Sequence, residues 1–180
     1  EQNMEEAIYW YERSAKGGHA MAQRLLAICY ENGDGVEKSY TDAAKWFMAA
    51  AKQGDAESQF AIAEYCYTGT GIDKNQKEAV DWYLKAARQG HADAQYCLAG
   101  CYYSGAGTEV NYNKAFKWYY EAAKQGNDDA ICQLAGCYYW GDGVKQDLFR
   151  SAQLYLKAAK MGNADAQYYL AECYMNGNGV

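Results

Sequence analysis

The amino-acid sequence repeats with a period of 36 residues, and this period constrains the fold more than any other feature. In the third copy Ala79 is followed by Trp82 and Tyr83, and this arrangement recurs with few changes in the other copies. Each copy then reaches a glycine in the same register: Gly18, Gly54, Gly90, Gly126 and Gly162. Each copy ends in a Gly-x-Gly segment, which begins at Gly33, Gly69, Gly105, Gly141 or Gly177. A fixed period in this range predicts an all-α solenoid, in which each unit buries its apolar face against its neighbours.

The period also predicts the domain organisation. It divides the chain into five repeats, at 3-38, 39-74, 75-110, 111-146 and 147-180, which together form a single solenoid over 1-180. Both ends of the chain fall at joints between repeats. We therefore expect the chain to be a stretch of a longer protein.

The first helix of each repeat, called helix A, is predicted to start after a side chain that can accept a hydrogen bond from the first turn. These capping residues are Asn3, Ser39, Asn75, Asn111 and Asp147. The apolar residues that follow have helical spacing and form one stripe, as Ala43, Trp46, Phe47, Ala50 and Ala51 do in the second repeat. The tryptophan and the aromatic residue after it are expected to fill the space between layers, and the glycine in each copy ends the helix.

The second helix, called helix B, is predicted to start at His19, Asp55, His91, Asn127 or Asn163. A leucine or isoleucine lies in the same core position of every copy: Leu26, Ile62, Leu98, Leu134 and Leu170. The Gly-x-Gly segments are structural turns rather than phosphate-binding loops. No strand precedes them, and neither a third glycine nor a Lys-Ser/Thr pair follows them.

The third repeat matches the pattern of a known family nearly letter for letter. The matching residues are Ala79, Trp82, Tyr83, Ala86, Ala87, Gly90, Ala94, Gln95, Leu98, Tyr102, Gly105 and Gly107. The chain resembles, over its whole length, the Sel-one-like repeat (SLR) family, a relative of the tetratricopeptide repeat. The departures are the absence of proline, Leu154 in the place of tryptophan, and Ile131 in the place of glutamine. The resemblance implies a right-handed α/α superhelix with helices A lining a concave face, and a role as an adaptor or assembly scaffold.

Seven cysteines are predicted to be buried thiols rather than disulfides. Cys29, Cys101, Cys137 and Cys173 share one register, and equivalent positions of adjacent repeats should lie ~10 Å apart, beyond the reach of a disulfide. An odd number of cysteines also favours a reducing compartment such as the cytoplasm.

No arrangement of residues predicts catalysis. His19 and His91 occupy one register in which the other repeats carry Asp or Asn, which indicates helix caps rather than metal ligands. Cys97 and Cys101 could supply half of a metal site, but they lie on or near the packed stripe. Some cysteine-rich relatives of this repeat class have been discussed as β-lactam-binding or hydrolysing proteins. In them each helix of a repeat carries a cysteine, whereas helices A here contain none, so an enzyme is only a remote alternative. We expect no catalytic residue, metal or cofactor.

The outward positions of helix A carry an unusual charge. Twenty such positions hold ten basic and three acidic residues, although the net charge of the chain is −6. Part of this excess is expected without any function, because the helix dipole favours a basic residue in the last turn. We predict a cationic concave groove with a hydrophobic seam that binds a peptide or protein segment. The candidate contact residues are Tyr9, Arg13, Lys45, Met48, Asp81, Leu84, Lys85, Lys117, Tyr120, Leu156 and Lys157.

The expected partner is a protein or peptide, and an acidic one fits the basic positions best. A sequence pI near 4.9 disfavours nucleic acid, and no apolar run is long enough for membrane insertion. The alternative role is a structural spacer within a larger protein. The last helix B, with Tyr168, Tyr169, Leu170 and Met175, lacks the following helix that its counterparts have. We therefore expect end-to-end self-association, or fraying from about Asn163 onward.

Overall fold

The computed structural model describes residues 3–180, which form ten α-helices of 13 residues each and no strand. They are α1 (Met4–Lys16), α2 (Ala20–Asn32), α3 (Tyr40–Lys52), α4 (Ala56–Thr68), α5 (Gln76–Arg88), α6 (Ala92–Ser104), α7 (Tyr112–Lys124), α8 (Asp128–Trp140), α9 (Leu148–Lys160) and α10 (Ala164–Asn176). Odd-numbered helices are helices A, and even-numbered helices are helices B. The predicted all-α fold built from helix pairs is confirmed. None of the helices within residues 3–180 is long and apolar enough to cross a bilayer.

Two compact units divide the chain, Glu1–His91 and Ala92–Val180. The first unit contains α1 to α5, and the second contains α6 to α10. Within each unit, every helix packs against the helix that follows it along the chain.

Capping side chains start nine of the ten helices at the predicted residues. Asn3 accepts a hydrogen bond from the backbone N–H of Glu6 at 3.1 Å, and His19 accepts one through Nδ1 from Ala22 at 3.2 Å. The other observed caps are Ser39, Asp55, Asn75, Asn111, Asn127, Asp147 and Asn163. The cap at His91 stays a prediction. In the first unit this side chain stacks on Phe60, with ring centroids 4.6 Å apart.

Helix A ends two residues before the predicted glycine in every repeat, and that glycine has a positive φ. After α7, the Gly126 N–H donates to the Ala123 carbonyl, and the Asn127 N–H donates to the Ala122 carbonyl. This pair of bonds satisfies two of the carbonyls that a helix end leaves without partners.

The core follows the repeat register. Leu26, Ile62, Leu98 and Leu134 are at most 4% exposed. The aromatic residue after the tryptophan position is also buried in four repeats, as Phe47, Tyr83, Tyr119 and Tyr155.

The tryptophan of helix A was expected to fill the space between layers in each repeat. For Trp10 this expectation is wrong. Trp82 is 7% exposed, but Trp10 is 54% exposed. Trp10 lies on α1, which no earlier described helix covers. Its indole N–H donates to the Glu6 carboxylate at 2.8 Å, as that of Trp82 donates to Glu78 at 3.3 Å.

The last helix B is also open to solvent. Tyr168, Tyr169 and Met175 of α10 are 62%, 46% and 80% exposed, and Leu170 is half-buried. This exposure is what the sequence predicts for a helix B without a following helix. Self-association or fraying through this face stays a prediction.

Paired glutamines connect helix B to the helices A on either side of it. The Gln59 side chain on α4 donates to the Ala51 carbonyl of α3 at 3.1 Å and accepts from Gln89, just after α5, at 2.8 Å. Gln23 with Gln53, and Gln95 with Gln125, form the same pair at 2.7 and 2.8 Å. In the next copy of this pair, Ile131 occupies the position of Gln59 and Met161 occupies that of Gln89. Both glutamines are therefore replaced together by apolar residues.

Replacement of one glutamine should therefore lower the free energy of unfolding more than replacement of both. We expect Gln59→Ile alone to lower the free energy of unfolding by about 1–2 kcal/mol, because the Ala51 carbonyl loses its buried Gln59 donor and the Gln89 amide keeps only its bond to the Gly54 carbonyl. Combining it with Gln89→Met should recover part of that loss. Urea denaturation of the wild type, both single variants and the double variant measures the coupling. Strict additivity of the two substitutions would contradict the interpretation.

Candidate protein-binding surface

The eleven candidate contact residues lie on helices A, and none is buried. Nine of them are exposed, and Met48 and Leu84 are half-buried. Two of the eleven contact each other directly: the Arg13 guanidinium donates to the Tyr9 hydroxyl at 3.4 Å.

In the first unit, several of the basic side chains have partners. Lys45 Nζ lies 2.8 Å from Asp42 Oδ1, and hydrogen bonds from Lys45 and Ser39 lower the pKa of the Asp42 carboxyl. Lys85 Nζ lies 3.5 Å from the centroid of the Trp82 ring. The sequence analysis did not predict the ion pair of Lys45 with Asp42, although their three-residue spacing on one helix permits it.

The second unit separates its charges between the two sets of helices. Its helices A, α7 and α9, carry six basic residues and one acidic residue: Lys114, Lys117, Lys124, Arg150, Lys157 and Lys160, with Glu121. Its helices B, α6, α8 and α10, carry five carboxylates and no basic residue: Asp93, Asp128, Asp129, Asp165 and Glu172. Charge is therefore segregated here by helix type.

Most of the lysines on α7 and α9 lack an acidic partner. Lys117, Lys157 and Lys160 are exposed and form no ion pair with another described residue. Lys124 pairs with Glu121 at 3.0 Å. These three cations are therefore available to an external anion.

Apolar side chains lie close to two of these lysines along the chain, and they share one register of helix A. Tyr120 is 44% exposed, and its ring stacks on Phe116 with centroids 6.4 Å apart. Leu156, adjacent to Lys157 in the sequence, is 36% exposed. The helix A surface of the second unit thus offers apolar contacts together with positive charge.

The described residues contain no metal-binding cluster. No group of three or more His, Cys, Asp or Glu side chains within residues 3–180 could hold a metal ion. All seven cysteines are thiols, and six of them are buried. Burial raises the pKa of Cys132 to about 11 and that of Cys137 to about 12, which keeps both thiols protonated and weakly nucleophilic at neutral pH.

The sequence model of the Sel1 repeat matches residues 1–19, 20–55, 56–91, 92–127, 128–163 and 164–180. After the first segment, which contains α1 alone, these segments begin at helix B, whereas the division predicted from the sequence begins at helix A. The five-repeat division therefore stays a prediction. No curated protein matches the chain.

Solved structures of bacterial repeat proteins are similar to the chain. A Sel1 repeat protein from Oxalobacter formigenes is 40% identical, with a TM-score of 0.87 over 91% of this chain and 68% of its own. A protective antigen of uropathogenic Escherichia coli with an SLR fold is 34% identical, with a TM-score of 0.94 over 99% of this chain and 38% of its own. Cysteine-rich protein B of Helicobacter pylori, at 20% identity and a TM-score of 0.58 over 75% of this chain and 97% of its own, shares the fold alone.

The helix pairs, the glycine turns and the similar structures agree with the match of the repeat model, which extends along the entire sequence. The chain belongs to the Sel1 repeat family.

Proposed function

We propose that the chain is a non-catalytic interaction scaffold that binds an acidic peptide or protein segment along its helices A. Sel1 repeat proteins generally act as scaffolds for protein–protein interaction. The observation that carries the finer proposal is the charge segregation in the second unit. It concentrates exposed basic residues on α7 and α9 of a chain whose net charge is −6.

The helix dipole explains only part of this pattern. A lysine in the last turn, such as Lys124 or Lys160, is stabilised by the partial negative charge at the helix end. Lys117 lies in the middle of α7, where the dipole favours neither sign of charge. The dipole therefore does not account for its positive charge.

The apolar residues on these helices indicate how such a partner would be held. Exposed ion pairs contribute little binding energy, but they guide encounter and fix the register of a bound segment. Tyr120 and Leu156 offer apolar area beside Lys117 and Lys157, and aromatic residues are common anchors at interfaces. The expected ligand combines carboxylates with an aromatic or aliphatic side chain, bound along the groove that the family resemblance implies.

Selection from a random peptide library displayed on phage tests the proposal. The wild-type chain should enrich peptides rich in Asp and Glu that also contain an apolar residue. The double variant Lys117→Glu, Lys157→Glu should fail to enrich them, because it reverses charge at two lysines without a described ion-pair partner. Binding of the enriched peptides should also weaken as salt is raised.

The matched control is the double variant Lys74→Glu, Lys145→Glu, which makes the same charge change at exposed positions in loops. This control should enrich the same peptides as the wild type. Equal losses in the two double variants, or enriched peptides without an acidic bias, would contradict the helix A site. Failure of the wild type to enrich any peptide would favour the spacer role.

A further inference from the structure

A cavity of about 330 Å³ lies in the second unit, between α8 and α10. Six aromatic side chains line it: Tyr103, Tyr139, Trp140, Tyr155, Tyr168 and Tyr169. The volume falls within the range of small-molecule sites, about 300–1,000 Å³. All of the lining residues belong to α6, α8, α9 and α10, and none of them is one of the eleven candidate contact residues.

Contacts among the aromatic rings and with neighbouring polar groups hold the walls in place. Tyr139 and Trp140 meet edge to face at 4.7 Å, and Tyr155 stacks with Tyr169 at 5.3 Å. The Tyr103 hydroxyl donates to Asp142 Oδ2 at 2.7 Å, and Asn178 Nδ2 donates to the Tyr139 hydroxyl at 2.8 Å. The side chains at the rim are therefore positioned before any ligand arrives.

The Tyr155 hydroxyl lines the cavity. Tyr155 is only 4% exposed, yet its hydroxyl makes no hydrogen bond to another residue in the described part of the chain. Gly136 leaves this hydroxyl open, since a Cβ added there would lie 3.6 Å from it. The hydroxyl is open to the cavity, where a ligand oxygen can accept its hydrogen bond in place of water.

In the first unit, a carboxylate lies at the position that corresponds to Gly136. Tyr83 is the equivalent of Tyr155, and Glu64 is the equivalent of Gly136. There the Tyr83 hydroxyl donates to the Glu64 carboxylate. The second unit has lost that carboxylate, and the space at Gly136 is part of the cavity.

The electrostatics of the cavity favour a cation. Glu172 is its one acidic lining residue, no basic residue lines it, and Glu172 forms no ion pair within residues 3–180. Aromatic faces attract cations through the negative potential above the ring. Burial raises the pKa of the Cys132 and Cys137 thiols and of the Tyr155 hydroxyl, so these three groups add no charge at neutral pH.

We propose that this cavity binds a small organic cation with an alkylated ammonium group. The ammonium group lies against the aromatic faces and beside the Glu172 carboxylate. The Tyr155 hydroxyl donates to a hydroxyl or carbonyl oxygen on the same molecule. An alkylated ammonium fits better than a primary one, because its weaker hydration makes transfer into an aromatic cavity less costly.

Isothermal titration calorimetry with choline tests the proposal on the full chain. The comparison ligand is the neutral isostere of choline, in which a tert-butyl group replaces the trimethylammonium group. We expect choline to bind at least about tenfold more tightly than the isostere, because only choline carries the charge. Equal binding of the two ligands, or no binding of choline, would overturn the proposal.

Variants locate the site. Glu172→Gln should weaken choline binding about tenfold, whereas Glu109→Gln, the same change at an exposed loop residue, should leave it unchanged. Gly136→Glu should abolish binding, because the new side chain occupies the cavity and can accept from Tyr155 as Glu64 does from Tyr83. Trp140→Leu provides a second test at a side chain that is 69% exposed, so the fold does not depend on it. Circular dichroism checks that each variant is folded, and choline binding that survives both Gly136→Glu and Trp140→Leu would place the ligand elsewhere.

Discussion

Replacement of Leu134 by alanine is expected to lower the free energy of unfolding by about 2–5 kcal/mol. Leu134 is 4% exposed on α8, in the register that Leu26, Ile62 and Leu98 fill in other helices B. The substitution removes buried apolar surface and leaves a cavity that the surrounding helices can close only in part. This loss is a large fraction of the net stability that is typical of a folded domain.

Leu170→Ala is the matched control for this prediction. Leu170 occupies the same register on α10, but it is half-buried because no following helix covers it. The same chemical change should therefore have a clearly smaller effect. Urea unfolding of the wild type and both variants gives the comparison, and equal losses would show that the register position, rather than burial, sets the cost.

The secondary structure could be predicted almost completely from the sequence. Each helix start depends on a local signal, such as Asn111 before α7, and each helix A end depends on a glycine such as Gly126. These signals act within a few residues, and the repeat presents them several times in one register. Agreement among the copies therefore removed the ambiguity that a single short helix would leave.

The burial of individual side chains was less predictable, because it depends on which neighbours a given copy has. Trp10 and Trp82 share a register but are 54% and 7% exposed. The pairing of Lys45 with Asp42 was missed because the outward positions of the helix were considered without the residues beside them.

The cavity of the second unit was not found from the sequence either. Its signal was present, since Gly136 lies inside a helix B at the position where Glu64 lies in the first unit. Glycine was considered only as a residue of helix ends and turns, so a glycine inside a helix was passed over. A contact across three helices also cannot be inferred from one repeat alone, because Tyr155, Tyr139 and Tyr169 belong to α9, α8 and α10.

The turn after α8 leads to the second prediction of large effect. Gly143, the second glycine of the Gly-x-Gly segment, has a φ of +72°, and an added Cβ would overlap the carbonyl of Tyr112 in the first turn of α7. We expect Gly143→Ala to lower the free energy of unfolding by about 3–4 kcal/mol, of which the left-handed backbone accounts for roughly 1–2 kcal/mol. The remainder comes from the backbone shift needed to relieve the overlap.

Gly126→Ala separates these two contributions. Gly126 has a φ of +89°, but no atom lies within 4 Å of an added Cβ. This variant should therefore show only the conformational cost of about 1–2 kcal/mol. Thermal or urea unfolding of both variants measures the difference. If Gly143→Ala is no more destabilising than Gly126→Ala, the second glycine is needed for its backbone conformation alone, and the close contact between the turn and α7 is not what requires it.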